Sequence, residues 1–379
     1  MQTYDALVVG GGIFGCYAAL YLARQGRRVA LMEREFALFK KASLVNQARL
    51  HGGYHYPRSM ATALMSDEHK ERFTREHRAF IHARFEKYYA IDRFGSFTDP
   101  GQFERFCARL NLPCERIEHH PLFNYHRLEA LYLTEEHSFD PVLLRAYYTN
   151  QVSSNPHITV MLNTTLEKTG TVGREWELEY QTQGQEGVQL LRTPLVINAT
   201  YAAINSLNRL FKLPELSLTH EISEIAFIHS PTFGERGLTV MDGPFGSIMP
   251  YGKSGLLSLS SVAYTHHKIS YENLPRFDCQ LEEDASCRPE RPGICTDCAR
   301  RPVSNAQKML SQMRQYLSEQ VVFDYWMSYF TIKSKLKSSH IDDSRPTEIA
   351  CLRKEPAFYC LFAGKVNSIY EVEKAVMNL

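Results

Sequence analysis

Tyr4-Asp5-Ala6-Leu7-Val8-Val9-Gly10-Gly11-Gly12-Ile13-Phe14-Gly15 reads as a short buried strand, a glycine turn and the start of a helix. Cys16 to Gln25 continues that helix, with Ala18, Ala19, Leu22 and Ala23 at helical spacing. Gly26 stops it, and Val29-Ala30-Leu31-Met32 forms a second strand that ends at Glu33. The unit is a dinucleotide-binding βαβ fingerprint. Gly10 permits the tight turn, Gly12 lets the backbone approach a pyrophosphate, and Gly15 lets helix and strand pack closely. Free N–H groups at the helix start, Ile13 and Phe14 among them, face the phosphates. Glu33, followed by Arg34, suits a ribose hydroxyl and disfavours a 2′-phosphate. The bland alternative is a glycine turn that binds nothing, but strand, helix, spacing and acid agree on a ligand.

Outward from this unit, the chain of 379 residues suggests about two domains. A hydrophobic content of 44% permits a core that needs no disulfide or metal staple. The net charge of +1 gives no electrostatic footprint for nucleic acid or an anionic membrane. No apolar run approaches the ~18 residues of a membrane span, and the strand beside Met1 leaves no room for a signal peptide. Nine cysteines is an odd count, which fits free thiols and a cytoplasmic location.

Further along, residues 60 to 90 read as helical. Asp140-Pro141 opens another helix, with Asp140 as N-cap. Ile158 to Leu162 reads as a strand, Trp176 to Tyr180 and Val188 to Leu191 as an antiparallel pair, and Leu195 to Thr200 as a buried strand. Strand-like runs alternate with turns from Leu216 to Tyr264, as in an antiparallel sheet beside a substrate cavity. Residues 275–303 form a polar, proline-containing, aperiodic insertion. Asn305 to Leu317 reads as a helix, and a final helix begins near Ser368.

These residues carry a family resemblance. The chain resembles the D-amino-acid oxidase-like (DAO) superfamily of FAD-dependent oxidoreductases, which includes glycine oxidase, glycerol-3-phosphate dehydrogenase and L-2-hydroxyglutarate oxidase. Four features match in order. They are the fingerprint ending at Glu33, the run from Ser43 through Asn46-Gln47-Ala48-Arg49-Leu50-His51-Gly52-Gly53-Tyr54-His55-Tyr56, the turn Asn198-Ala199-Thr200, and Ser344-Arg345-Pro346 with Ala363-Gly364-Lys365-Val366-Asn367-Ser368. Tyr201 replaces the glycine usual after the third. The resemblance implies an α/β fold. A Rossmann-type, glutathione-reductase-like FAD domain is expected at 1–85, 140–215 and 338–379. An antiparallel substrate domain with helices is expected at 86–139 and 216–337. A NAD-only enzyme needs no second glycine turn at the far end of the chain, whereas a flavin lies far from its adenosine. A helix from Asn367 would aim its positive end at the reduced flavin, with Lys365 beside it.

The implied reaction is hydride loss from a carbon bearing nitrogen, in an amine or amino acid, to flavin N5. The alternatives are a dehydrogenase of a hydroxy acid or sugar-like alcohol that uses an electron carrier, and a flavin-binding redox or interaction protein with no turnover. The partners are a small polar substrate and oxygen or another electron acceptor. The family often uses no strong base. His51, His55, Arg345 and Lys365 are the candidate catalytic residues, with His51 or His55 a candidate general base, substrate contact or covalent flavin anchor. Arg49 and Arg58 read as structural or phosphate-facing. On the substrate side stand Tyr54, Tyr251, Tyr264 and His266. Lys333, Lys335 and Lys337 share one strand face, read as solvated in preference to anion-binding. In the insertion, Cys295-Thr296-Asp297-Cys298 has metal-gripping spacing, and Cys279 and Cys287 would complete a structural zinc site. Free thiols, a redox-sensitive pair and, last, an iron–sulfur cluster are the alternatives.

Overall fold

The computed structural model describes residues 1–55, 57, 69–281, 286–340 and 346–376. Tyr56, Arg58, Ser344 and Arg345 lie outside the described residues. So does most of the segment expected to open the helix at 60–90.

The fingerprint seeds a six-stranded sheet. Its order is Ile158–Met161, Val29–Met32, Ala6–Val9, Leu195–Asn198, Ala357–Phe362 and Glu348–Lys354. The first five run parallel, and Glu348–Lys354 closes the edge antiparallel. The Val29–Met32 strand is buried throughout, as expected for a sheet covered on both faces. The helix Ile13–Arg24 lies on one face with all its residues from Ile13 to Leu20 buried. Its small residues Gly15, Cys16, Ala18 and Ala19 let it approach the strands closely. A four-stranded sheet, Gln2–Thr3, Gln189–Thr193, Glu175–Thr182 and Thr164–Val172, packs on the other face. Trp176 ties the two together by donating its indole N–H to the Ala357 carbonyl at 2.9 Å.

The second layer is a nine-stranded sheet, mostly antiparallel, built around the long pair Leu218–His229 and Asp324–Leu336. It extends through Leu257–Ser261, Gly246–Pro250 and Gly237–Val240 to Lys87–Asp92 and Leu128–Thr134. The junction of Gly237–Val240 with Lys87–Asp92 is parallel and joins distant parts of the chain. Residues 81–82 and 87–92 are therefore strands, and the helix expected to reach residue 90 is Lys70–Glu76 among the described residues. Asp140 caps the helix Pro141–Ser153 through Oδ1, which accepts from Val142 at 3.0 Å and Leu143 at 2.9 Å. The expected C-terminal helix is split into a 3-10 turn, Val366–Tyr370, and a short α-helix, Glu371–Val376. Its dipole is correspondingly weak.

Candidate functional site

A large cavity of about 1600 Å³ runs between the two layers. That exceeds the roughly 300–1,000 Å³ of an ordinary small-ligand pocket. One end is the fingerprint. Gly10, at φ +110°, passes so close to the Asn198-Ala199-Thr200 turn that a Cβ there would lie 2.6 Å from the Ala199 carbonyl. A Cβ on Gly12 would lie 2.9 Å from Ser43 Oγ, which accepts the Ile13 N–H at 3.0 Å. Glu33 holds the turn, accepting the Gly11 N–H at 2.6 Å. This backbone cradle fits a dinucleotide diphosphate and closes it to larger residues.

Gly10, Gly12, Ile13, Phe14, Glu33, Arg34, Ser43, Asn46, Gln47, His51, His55, Ala199 and Thr200 all line the cavity. So do Gly364, Lys365, Val366 and Asn367 at the other end. The two glycine segments, far apart in sequence, thus bound one elongated space. Gly15 sits beneath the turn rather than on the wall. Gly52 faces inward, its N–H 3.4 Å from Glu136 Oε1. Ser368 is turned to Thr347 Oγ1 at 2.5 Å and to the Lys365 carbonyl at 2.7 Å. Arg345 is outside the described residues. Tyr201, in place of the expected glycine, takes φ +54° and lines the cavity.

Three of the four expected substrate residues lie off this cavity wall. Tyr54 is in the core, 1% exposed, and donates to the Pro113 carbonyl at 2.7 Å. Tyr251 is likewise buried, donating to the Leu44 carbonyl at 2.7 Å and packing edge-on against Phe227. Tyr264 packs against the apolar cluster under the helix Ala306–Arg314. In each case the phenol completes a core and satisfies its hydroxyl or its ring there. His266 does line the cavity, with Nδ1 3.0 Å from Glu221 Oε2 and 2.9 Å from Ser223 Oγ. Lys333 and Lys335 line it too, the latter paired with Glu221 Oε1 at 2.9 Å, so this face of the strand is not simply solvated. Lys337 falls in the turn after the strand.

Beneath the flavin end lies a buried polar group that sequence reasoning missed. Arg49, 6% exposed, donates to Thr239 Oγ1 at 2.8 Å and to Ser247 Oγ, and its Nε is 3.4 Å from Glu136 Oε2. Tyr89 donates to the same carboxylate oxygen at 2.9 Å. Lys87, fully buried, donates to Thr239 Oγ1 at 2.5 Å. Burial, then the adjacent Arg49, pushes the Lys87 ammonium well below its ordinary range, against the pull of Glu136. Glu136 Oε1 also stands 4.0 Å from His51 Nδ1, and the His51 and His55 rings lie 5.9 Å apart. Arg49, Thr239, Ser247, His51 and His55 reach the cavity wall. The signal available in the sequence was Arg49 itself, inside the flavin-like segment.

The zinc expectation finds no support. Among the described residues no group of three or more His, Cys, Asp or Glu side chains is placed to hold a metal ion. All nine cysteines are free. Cys295 packs beside Ile222, Phe277 and Phe330, where burial pushes its thiol up to about 12. Cys287 Sγ accepts the Gly293 N–H at 3.2 Å.

The FAD dependent oxidoreductase (DAO) family model matches residues 5–271. The chain belongs to that family. It is an FAD-dependent oxidoreductase. Across 377 residues it is 23% identical to the FAD-dependent monooxygenase FPY4 of Fusarium mangiferae, covering 98% of this chain and 90% of that one. Its fold is similar to that of glycine oxidase from Geobacillus kaustophilus, with a TM-score of 0.69 at 14% identity over 99% of this chain and 93% of that one. It is also similar to L-alpha-glycerophosphate oxidase from Mycoplasma pneumoniae, with a TM-score of 0.71 at 16% identity over 99% and 94%. Among the described residues no helix is long and apolar enough to cross a membrane.

Proposed function

We propose that this DAO-family flavoprotein oxidises a small, polar, anionic substrate at a carbon bearing a hydroxyl group, with oxygen or another electron carrier as the acceptor. The single observation that carries the reading is the buried Arg49–Glu136 pair beside His51. Bound FAD supplies the hydride acceptor. An alcohol must lose its O–H proton as its C–H hydride leaves, so it needs a positioned base. His51 is placed for that proton, and Glu136 stands where a carboxylate stabilises the resulting imidazolium. Arg49, His266, Lys333 and Lys335 all line the cavity, and these cationic and imidazole groups suit an acidic substrate.

The second reading is oxidation at a C–N centre. An amine can shed its proton before binding and needs no base. We also assign residues 1–85, 140–215 and 338–379 to the cofactor half and 86–139 with 216–337 to the substrate half. This division follows the six-stranded and nine-stranded sheets. Free cysteines support a cytoplasmic setting.

The test is anaerobic. The purified yellow protein is mixed with hydroxy acids, sugar acids and matched amines, and bleaching of the flavin band is followed. Bleaching by a hydroxy acid, and not by its amino counterpart, supports the first reading. The reverse order establishes the second.

A further inference from the structure

The cysteine-bearing insertion between His266–Ser270 and Ala306–Arg314 touches both layers. On the nine-stranded sheet, Thr296 Oγ1 donates to the Phe330 carbonyl and accepts the Phe330 N–H, both at 2.9 Å. On the cofactor side, the buried Pro292 offers its carbonyl to Lys41 Nζ at 2.9 Å and to the Arg34 guanidinium. Both of those cations also pair with Glu35, at 2.8 Å for Arg34 and 2.6 Å for Lys41. Arg291 pairs with Glu167 at 2.8 Å. These partners follow the strand Val29–Met32 or belong to Thr164–Val172, the two segments beside Glu33. Glu290 to Gly293 line the same end of the cavity.

Sulfur fixes the shape of this bridge. Cys287 Sγ accepts the Gly293 N–H at 3.2 Å and lies 3.7 Å from Gln280 Nε2. A Cβ on Gly293 would sit only 3.2 Å from both Cys287 Cβ and the Ser286 carbonyl. The Pro292-Gly293 peptide is therefore pressed against Cys287. At the far side, Arg300 donates its N–H to Cys298 Sγ at 3.4 Å and its Nε–H to the Cys279 carbonyl at 2.8 Å.

We propose that Glu290–Gly293 form the outer wall of the site for the adenosine half of FAD, latched by Cys287 and Thr296, so that this wall must lift for the cofactor to leave. The ligand class is an adenine nucleotide diphosphate. The proposal rests on FAD being the bound dinucleotide. It goes beyond the reading of the substrate, because nothing in it depends on which bond is oxidised.

Two measurements test it. The first is the rate at which holoprotein releases FAD on dilution, read from the rise in flavin fluorescence. Cys287→Ala, and Thr296→Val combined with Arg291→Ala, are expected to release FAD at least about tenfold faster while the visible flavin spectrum stays unchanged. The second uses the wild-type chain alone, so it does not depend on variants folding. Maleimide labelling of Cys287 and Cys298 is mapped by peptide mass in apoprotein, and with ADP, FMN or FAD added. FAD and ADP are expected to slow labelling at least about tenfold, and FMN to leave it unchanged. Release rates within twofold of wild type in both variants would overturn the proposal. So would labelling that is equal with and without FAD. A protein that takes up no flavin overturns the FAD assignment itself, and that result appears before any variant is made.

Discussion

The carbonyl oxygen of Gly10 occupies the space that a Cβ on Gly15 would need. The turn and the helix it opens are therefore in direct backbone contact, with Ala199 Cβ on the remaining side at 3.5 Å from the same point. Neither neighbour is a flexible side-chain end that can move aside cheaply. Gly15→Ala must push the helix Ile13–Arg24 away from the strand Ala6–Val9, at a cost of about 1–3 kcal/mol or more for overpacking. The same shift moves the backbone N–H groups of the cradle that fits a diphosphate. The expected outcome is a variant that either fails to fold or elutes from gel filtration without flavin absorbance. A yellow Gly15→Ala protein with wild-type melting would refute the close-packing role.

His51 is the residue proposed to take the substrate proton. His51→Asn keeps a polar group near Glu136 and removes the base. Turnover at saturating substrate is expected to fall about 10²–10⁴-fold, the usual contribution of a general base. Flavin content and the flavin spectrum should not change. If kcat holds and only KM rises, His51 binds substrate rather than taking its proton.

The fingerprint and Glu33 were legible because their geometry is local: one strand, one turn and one helix close within the first turn of chain. The two cavity ends were legible because each carries its own glycine turn. The group around Arg49 was not. Lys87 meets Thr239 across 152 positions of sequence, through a parallel pairing of Gly237–Val240 with Lys87–Asp92 that no local pattern announces. The tyrosines failed for a related reason. Tyr54 follows a glycine pair in the flavin-like segment, yet its side chain points into the cluster of Tyr89, Phe103 and Tyr132. Adjacency in sequence said nothing of which face the ring would take. The four cysteines do gather, since Cys279, Cys287 and Cys298 each add to burial in pushing the Cys295 thiol up, but among the described residues they form no group placed to hold a metal ion.

Arg49 and Glu136 are both essentially buried, at 6% and 1% exposure. Removing one partner strands the other charge in a low-dielectric site. Arg49→Met is expected to destabilise the protein by about 3–5 kcal/mol, the cost of an orphaned buried charge. The double variant Arg49→Met with Glu136→Gln should recover much of that loss. Thermal unfolding of the two singles and the double measures the coupling. Additive losses would mean that the 3.4 Å contact carries no energy. Substrate binding should weaken in both proteins that lack the guanidinium, whether or not stability is recovered.

His220 provides a test of acid stability. It is fully buried, with Nδ1 2.7 Å from Ser334 Oγ and Nε2 3.1 Å from the Asn273 carbonyl. Burial pushes its pKa down to about 4, with Lys337 pushing the same way and the Asn273 hydrogen bond opposing. An unfolded histidine titrates near 6.5. Between those two values the unfolded chain binds more protons than the native one, so stability rises with pH across the window. On acidification from about 6.5 towards about 4, this one residue removes roughly 3 kcal/mol, at 1.36 kcal/mol per pH unit. His220→Gln retains a donor for the Asn273 carbonyl and does not titrate. Its urea-unfolding free energy should fall less steeply than that of wild type between pH 6.5 and 4, even if the variant is less stable at neutral pH. Parallel profiles for the two proteins would show that His220 is already protonated in the native state, or that other groups dominate the acid transition.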